Sequence, residues 1–486
     1  MSENHNFAAQ LVDRLTERSH LTDAATGQTL QGAAIAESIV GFAASFLSAS
    51  LQAGDRVMIS CGLDLASALA YLGAMYAGLV PVPVEERAFA ALGEPLFEKA
   101  QARALWTATA VSCDWAKTHG VLHLRGSFVP QPVASLAPAT RDESDLAALM
   151  PTSGSTGYPH LVMVSHRNLT TNTEAIIRSQ NLGRDETAML ILPVSYCFGA
   201  SVLHTHLHQG GGVVFDSRFM FPDKVLNAIN RYNCTSFAGV PTVYNILLRR
   251  SNLRSISLPG LRRFLQAGGA LATEKIEEMR RIAPHAQFYV MYGQTEATSR
   301  ISCLPPGRLS DKLGSVGLAL DNIVIRIADD EGHDLPNGHR GEIQVLGLSV
   351  CSGYFNEPEA TNRKFSNGWL KTGDLGCRDN DGYLWIKGRR EEFIKIRGLR
   401  VGLAEVEARV AAIPGIYECA ATAVPHQEAG DALALFVVAD REINGVAERV
   451  RSALPPQWTC ASVSVVAELP KTPTGKIARF ALRAMA

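Results

Sequence analysis

Thr152-Ser-Gly-Ser-Thr-Gly157, followed by Tyr158-Pro159-His160, is the stretch on which the reading of this chain turns. Two glycines and four hydroxyl residues in six positions make poor helix and poor strand. They make a flexible loop whose backbone N–H groups and hydroxyls can converge on phosphate oxygens. Apolar runs at residues 146–150 and 161–164 flank it, so the loop should join two buried strands. It is not a Walker A loop, because no Lys-Ser or Lys-Thr follows the glycines. Taken alone, such a run is more often an ordinary linker, and the rest of the chain must decide.

Composition narrows the setting. At 486 residues the chain exceeds a single hydrophobic core, so about two or three domains are expected. An apolar fraction of 47% with 19% charged residues describes a globular protein with a large interior. A net charge of −1 and the lack of a long basic run argue against a nucleic-acid binder. Nine cysteines are scattered singly with no CxxC pair, which suggests reduced thiols rather than a disulfide frame or zinc site. With a polar amino terminus lacking a signal-peptide pattern, a cytoplasmic location is expected. Residues 65–84 carry no charge and are long enough to span a bilayer. Gly78, Pro81 and Pro83 break them into a helix (65–77) and a short strand (80–84), so no membrane span is expected.

Helical and extended patterns alternate through the first part of the chain, which predicts an α/β fold with largely parallel sheets. Residues 38–51, 168–180, 202–209, 221–232 and 274–282 read as helices. Residues 56–61, 187–192, 213–215, 235–240 and 287–291 read as strands, and 21–34 as a hairpin. Beyond about residue 322 the texture becomes β-rich, with strands at 323–327, 341–346 and 383–386 separated by Gly, Asn and Asp turns. A small α+β pattern follows the charged run Arg389-Arg-Glu-Glu392, with helices at 401–411 and 446–454. The expected organisation is a large N-terminal region, 1–390, with a β-rich part at about 322–388, and a small C-terminal α+β domain, 391–486.

Four further clusters carry chemistry. Tyr292-Gly-Gln-Thr-Glu296 offers an aromatic face, a hydroxyl and a carboxylate after a strand. Lys371-Thr-Gly-Asp374 puts a carboxylate on a tight turn, Gly388-Arg389 opens the proposed linker, and Pro473-Thr-Gly-Lys476 places a lone lysine near the end. Each has a structural reading: core, turn-former, surface charge and solvated tail respectively. Their order together with the first loop is the discriminating feature. With Ser165-His166, Gly268-Gly-Ala270, Gly314-Ser-Val-Gly317 and Ile394-Lys-Ile-Arg-Gly398, the chain resembles, over essentially its whole length, the acyl-adenylate-forming superfamily of acyl-CoA synthetases, peptide-synthetase adenylation domains and luciferases.

The resemblance implies a two-step ligase using ATP, Mg²⁺ and a thiol, with coenzyme A favoured and the phosphopantetheine of a separate acyl carrier protein as the alternative. A carboxylic acid attacks the α-phosphate of ATP, releasing pyrophosphate and giving an acyl-AMP, and the acyl group then passes to the thiol. The charge that develops must meet preorganised donors and a metal ion. By resemblance Thr152, Ser153, Gly154, Ser155, Thr156 and Gly157 hold the β- and γ-phosphates. Thr295 contacts the α-phosphate and Glu296 orients Mg²⁺. Gly269, Ala270, Tyr292 and Gly293 enclose the adenine, Asp374 accepts from the ribose hydroxyls, and Arg389 lies beside it. Lys476 bridges the substrate carboxylate and the α-phosphate. Glu391 is the hinge about which the small domain swings, where the family usually has Asp. Lys395, Arg397 and Gly398 belong to the face used for thioester formation. A homodimer is common among similar proteins.

His160 departs from the family, which usually places Lys there against phosphate. A triphosphate favours the protonated form of a residue that titrates near neutrality, so His160 is expected either to act as a partly protonated phosphate contact or to face solvent. The acyl pocket implied by the family takes in Tyr196, Cys197, Phe198, Val240, Gly268 and Gln294. No Asp or Asn occurs between Pro193 and Ser201 to hold an ammonium or hydroxyl group, so an uncharged acid with an apolar body, fatty acyl or aryl, is expected. His204, His206 and His208 invite a metal reading, but their spacing does not put three imidazoles on one helix face, and core or surface histidines are expected. The intact Glu296, Asp374, Arg389 and Lys476 argue against a non-catalytic nucleotide- or acyl-AMP-binding protein.

Overall fold

The structure is a computed structural model that describes residues 4–108, 114–118, 120–125, 136–152, 159–440, 443–471 and 477–486. Short, fully buried four-residue strands build its central sheet. Thr187–Leu190, Gly212–Phe215, Ser236–Gly239 and Arg263–Gln266 are buried at every position, as parallel strands covered by helices on both faces must be. Nine strands form this sheet. Its centre runs in parallel through His20–Asp23, Gly212–Phe215, Thr187–Leu190, Ser236–Gly239, Arg263–Gln266 and Gln287–Tyr292. Antiparallel partners close both edges, with Thr29–Gln31 at one and Ser302–Leu304 then Leu318–Ala319 at the other.

A second, four-stranded parallel sheet has the order Val80–Glu85, Arg56–Cys61, Ala104–Thr107, Leu122–Arg125. Pro81 and Pro83 sit on its edge strand, where a missing N–H breaks no ladder. The uncharged run before them is the helix Leu65–Tyr76, all 12 of whose residues are buried in the core of this α/β layer. Among the described residues no helix is long and apolar enough to cross a membrane. The β-rich texture after residue 322 is an antiparallel sheet of Ile323–Ala328, Gly341–Gly347, Phe365–Ser366, Trp369–Arg378 and Leu384–Arg389.

One hydrophobic core runs from Phe7 to Leu384, and a separate one begins at Ile394 and reaches Leu454. The second core lies under a sheet of Phe393–Ile396, Leu399–Gly402, Ile416–His426, Gly430–Ala439 and Cys460–Val465. Here the expected helix at 401–411 starts later: Leu399–Gly402 is a strand and Leu403–Ala411 the helix. Arg397 and Gly398, both at positive φ, make a two-residue hairpin turn that carries the chain from Phe393–Ile396 into that strand.

The three spaced histidines are core residues. Cys197–His208 is one helix, buried at every position. His206 bridges the Val202 carbonyl at 2.9 Å and the Ser236 hydroxyl at 3.0 Å. His204 lies between the rings of Phe7 and Tyr71, 4.9 and 5.8 Å away. Among the described residues no group of three His, Cys, Asp or Glu could hold a metal. Burial pushes His204 down to about 3, and His206, His208 and His166 to about 4. Between those values and the ordinary histidine range near 6.5 the unfolded chain binds protons that the native chain refuses. The associated stability is therefore complete above about pH 6.5 and is lost as pH falls towards 4. Thermal unfolding from pH 7 to 5 should show a falling Tm, and His204→Phe should flatten the dependence by about 1.4 kcal/mol per pH unit. A Tm independent of pH over this range would contradict neutral buried imidazoles.

Candidate active site

Most of the described candidate residues gather at one end of the central sheet. Tyr196, Cys197 and Phe198 follow the strand Thr187–Leu190, and Val240 follows Ser236–Gly239. Gly268, Gly269 and Ala270 follow Arg263–Gln266, and Tyr292–Glu296 ends or follows Gln287–Tyr292. These are the carboxyl ends of neighbouring parallel strands, where open α/β sheets bind ligands. Gly269 and Ala270 are exposed there, while Val240 is buried. Gly268 has φ +85°, a backbone turn that suits glycine, and Gln266 donates to the Gly269 carbonyl at 2.7 Å. A Cβ on Gly293 would fall 1.8 Å from the Ser299 carbonyl oxygen, so only glycine lets the segment 293–300 fold back so tightly.

The β-rich sheet closes over this end and brings in a carboxylate. Asp374 and Arg389 are directly opposed on adjacent strands, and the Arg389 Nε lies 3.2 Å from Asp374 Oδ1. Tyr292 donates its hydroxyl to Asp374 Oδ2 at 2.6 Å. Asp374 is thus joined both to Arg389 on the adjacent strand and to Tyr292, 82 positions earlier in the chain. The Asp374 carboxylate holds Arg389 above its ordinary value, and burial beside the same carboxylate pushes the Tyr292 phenol up.

Glu296 is 9% exposed, and its Oε1 accepts from the Tyr354 hydroxyl at 2.7 Å. One buried carboxylate, a hard oxygen donor, suits Mg²⁺, which is typically bound through one or two carboxylates together with substrate phosphates. Thr295 lies beside the acyl-pocket candidates, with its hydroxyl 3.5 Å from the Cys197 sulfur.

The Ser/Thr/Gly loop joins Leu146–Pro151 to Leu161–Ser165, an antiparallel pair. Thr152 N–H donates to the His160 carbonyl at 2.9 Å, which closes the base of the loop. Ser153, Gly154, Ser155, Thr156 and Gly157 lie outside the described residues, as does Lys476. Ser165 caps the following helix, and its hydroxyl accepts from Asn168 N–H in a capping box.

His160 is tied into the site from the far side. Its ring stacks on Tyr354 with centroids 4.4 Å apart, and its Nδ1 lies 2.9 Å from Glu357 Oε2. Lys99 reaches the same carboxylate at 2.8 Å and donates to the Pro159 carbonyl, also at 2.8 Å. An ammonium and an imidazole thus share one carboxylate at the base of the loop. Neither Lys99, Tyr354 nor Glu357 is marked by a motif; only the position of Tyr354 between Gly353 and Phe355 hints at a fixed aromatic.

Glu391 lies in the short turn Arg390–Glu392 between the last strand of the β-rich sheet and the strand Phe393–Ile396. Lys395, Arg397 and Gly398 are exposed on the hairpin that follows, away from the sheet-end residues by sequence and by core.

A family model described as AMP-binding enzyme matches residues 9–355, and one described as AMP-binding enzyme C-terminal domain matches residues 405–476. Feruloyl-CoA synthase from Amycolatopsis sp is 30% identical over 494 aligned positions, covering 99% of both chains. The 4-coumarate–CoA ligase-like 6 of Arabidopsis thaliana is 32% identical, over 76% of this chain and 66% of that protein. Among solved structures, ATP-bound MatB from Rhodopseudomonas palustris superposes with a TM-score of 0.88 at 27% identity, covering 99% of each chain. The o-succinylbenzoate CoA synthetase MenE from Bacillus subtilis, in complex with its acyl-adenylate, superposes with a TM-score of 0.86 at 26% identity and the same coverage.

Proposed function

The chain belongs to the AMP-binding enzyme family, and from that premise we propose that it converts a carboxylic acid of fatty acyl or aryl type to its acyl-AMP and then to a coenzyme A thioester. The observation that carries the reading is the Tyr292–Asp374–Arg389 cluster, with the buried Glu296 four residues beyond Tyr292 at the carboxyl end of a parallel strand. Coenzyme A is preferred over a carrier protein as acceptor because the relatives just described are named as coenzyme A ligases or synthases.

In the first step an oxygen of the acid carboxylate attacks the α-phosphorus, and the bond to pyrophosphate breaks. Asp374 orients the ribose by accepting from its hydroxyls, and Arg389 and Tyr292 fix that carboxylate. Thr295 and the hydroxyl-rich loop donate to the phosphates, and Lys476 holds the two reacting groups together. Glu296 would hold Mg²⁺, which supplies charge neutralisation across the phosphates when bound. In the second step the thiol sulfur attacks the acyl carbon, AMP leaves, and the thiol proton passes to solvent.

The division proposed is a core of residues 1–390 and a mobile domain of residues 391–486, supported by the break between the two hydrophobic cores. Glu391 is the hinge, so that Lys476 serves the first step and the Lys395–Arg397–Gly398 hairpin the second. The deciding measurement is ATP–pyrophosphate exchange over a panel of acids, followed by mass spectrometry with coenzyme A or a holo carrier protein. Exchange with no acid would refute activation, and a product on the carrier protein alone would replace coenzyme A.

His160 gives a further test. The stacked ring and the shared Glu357 place an imidazole and the Lys99 ammonium at the base of the phosphate loop. If His160 acts as a protonated contact, exchange by the parent should fall with rising pH relative to His160→Lys, which keeps its charge. Parallel pH–rate profiles would remove the proton-linked role and leave Lys99 as the cation at this position.

A further inference from the structure

Arg300 is not used by any step above, and its surroundings are unusual for an arginine. It is 2% exposed, among the largest fully buried side chains of the protein. The Asn172 side chain holds its backbone, accepting from the Arg300 N–H at 3.2 Å and donating to its carbonyl at 2.8 Å. Among the described residues its side-chain Nε is buried without a hydrogen bond, and no carboxylate pairs with the guanidinium. Its guanidinium carbon lies 4.7 Å from the centroid of Phe198, and the titratable groups around it are Cys303, Cys197 and Tyr196. Tyr196, Cys197 and Phe198 are the acyl-pocket candidates.

A buried cation without a counter-ion is costly. The Phe198 face offsets part of the charge but cannot accept from the in-plane N–H donors. Burial pushes the Cys303 thiol up to about 11 and the Tyr196 phenol up as well, so neither supplies a negative charge near neutral pH. A second donor on the same folded-back segment is in the same position, since the Gln294 side-chain nitrogen is also buried without a partner. The segment 293–300 therefore holds two buried side-chain donors, Arg300 Nε and the Gln294 amide nitrogen, without hydrogen-bond partners among the described residues. A planar carboxylate, which meets a guanidinium through two parallel hydrogen bonds, is the group that balances them.

We propose that Arg300, assisted by the Gln294 amide, is the specificity-determining residue for an acid that carries a second carboxylate, remote from the one that is adenylated. The inference rests on the activation reading above and amends the sequence expectation of an otherwise uncharged acid. Arg300 binds and orients the second carboxylate without proton transfer, and the apolar body of the acid packs along Phe198 and Val240.

The test compares matched pairs of acids, benzoate with isophthalate and terephthalate and hexanoate with adipate, in ATP–pyrophosphate exchange by the parent, Arg300→Met and Arg300→Gln. For the best pair the parent should show kcat/KM at least about tenfold higher with the dicarboxylate, a gain on the scale of one charge-assisted bidentate contact. Arg300→Met should abolish that preference through KM for the dicarboxylate and leave the monocarboxylate within about twofold. A parent that prefers the monocarboxylates throughout overturns the inference. So does an equal loss for both members of a pair, which would mean that Arg300 meets the reacting carboxylate or phosphate. A thermal-shift series without ATP separates this from failure of activation itself. There a dicarboxylate should raise the Tm of the parent and not of Arg300→Met, whether or not exchange occurs, and no difference between the two overturns the inference. The ligand-free Arg300→Met protein should melt no lower than the parent; if it fails to fold, Arg300→Gln carries both comparisons.

Discussion

Glu296→Gln should lower acid-dependent ATP–pyrophosphate exchange by roughly 10²–10³ while the protein stays folded. The substitution keeps the shape of the side chain and an oxygen that can still accept from Tyr354, 2.7 Å away. What it removes is one negative charge, in a place shielded from water by burial. A charge at a shielded position is poorly replaced by solvent, so the loss should be large and should move the Mg²⁺ dependence of the rate to higher concentration. Tyr354→Phe is the control for position: it keeps the charge and frees the carboxylate, and about a tenfold loss is expected. If Glu296→Gln stays within fivefold of the parent at every Mg²⁺ concentration, Glu296 does not hold the metal and the assignment of the phosphate end of the site fails with it.

The contrast between Glu296 and Tyr354 also shows where the sequence was legible. Glu296 stands in a run of residue types that together have a chemical purpose, and the run can be read without knowing what faces it. Tyr354, Glu357 and Lys99 acquire their roles only across folded distances; His160 and Glu357 are separated by 197 positions. No local pattern reports such a pair. Parallel strands were readable where burial on both faces leaves a mostly apolar run, as in Arg56–Cys61, whereas Arg263–Gln266, buried at every position but beginning in Arg and ending in Gln, was not read as a strand. The helix Pro241–Arg250 escaped notice because its Pro241 reads as the end of the preceding strand, although proline is well suited to the first turn of a helix. Arg300 was missed for a different reason. A search bounded by the motif stops at Glu296, and the meaning of a cation four positions further on depends on its burial and on the want of a carboxylate partner among the described residues. Neither is a property of the residue type.

Lys476→Ala should reduce ATP–pyrophosphate exchange by about 10²–10³, and should leave the conversion of supplied acyl-AMP and coenzyme A to thioester within a few-fold of the parent. The asymmetry follows from the chemistry of the two steps. In the first, two anions must approach each other, and a lysine shared between the carboxylate and the α-phosphate relieves that repulsion as the bond forms. In the second, a neutral acyl carbon is attacked and AMP leaves as a stabilised anion, so the same ammonium has less to offset. The architecture makes the separation feasible. The core that begins at Ile394 is distinct from the one that ends at Leu384, and the turn Arg390–Glu392 lies between them. On the proposed division, a rotation there would exchange the lysine for the exposed turn at residues 397–399 and leave both cores closed. Two assays on one variant therefore test both the role of Lys476 and the alternation. Loss of the first step alone supports both, whereas equal loss of the two steps would mean that one arrangement of the domains serves the whole reaction.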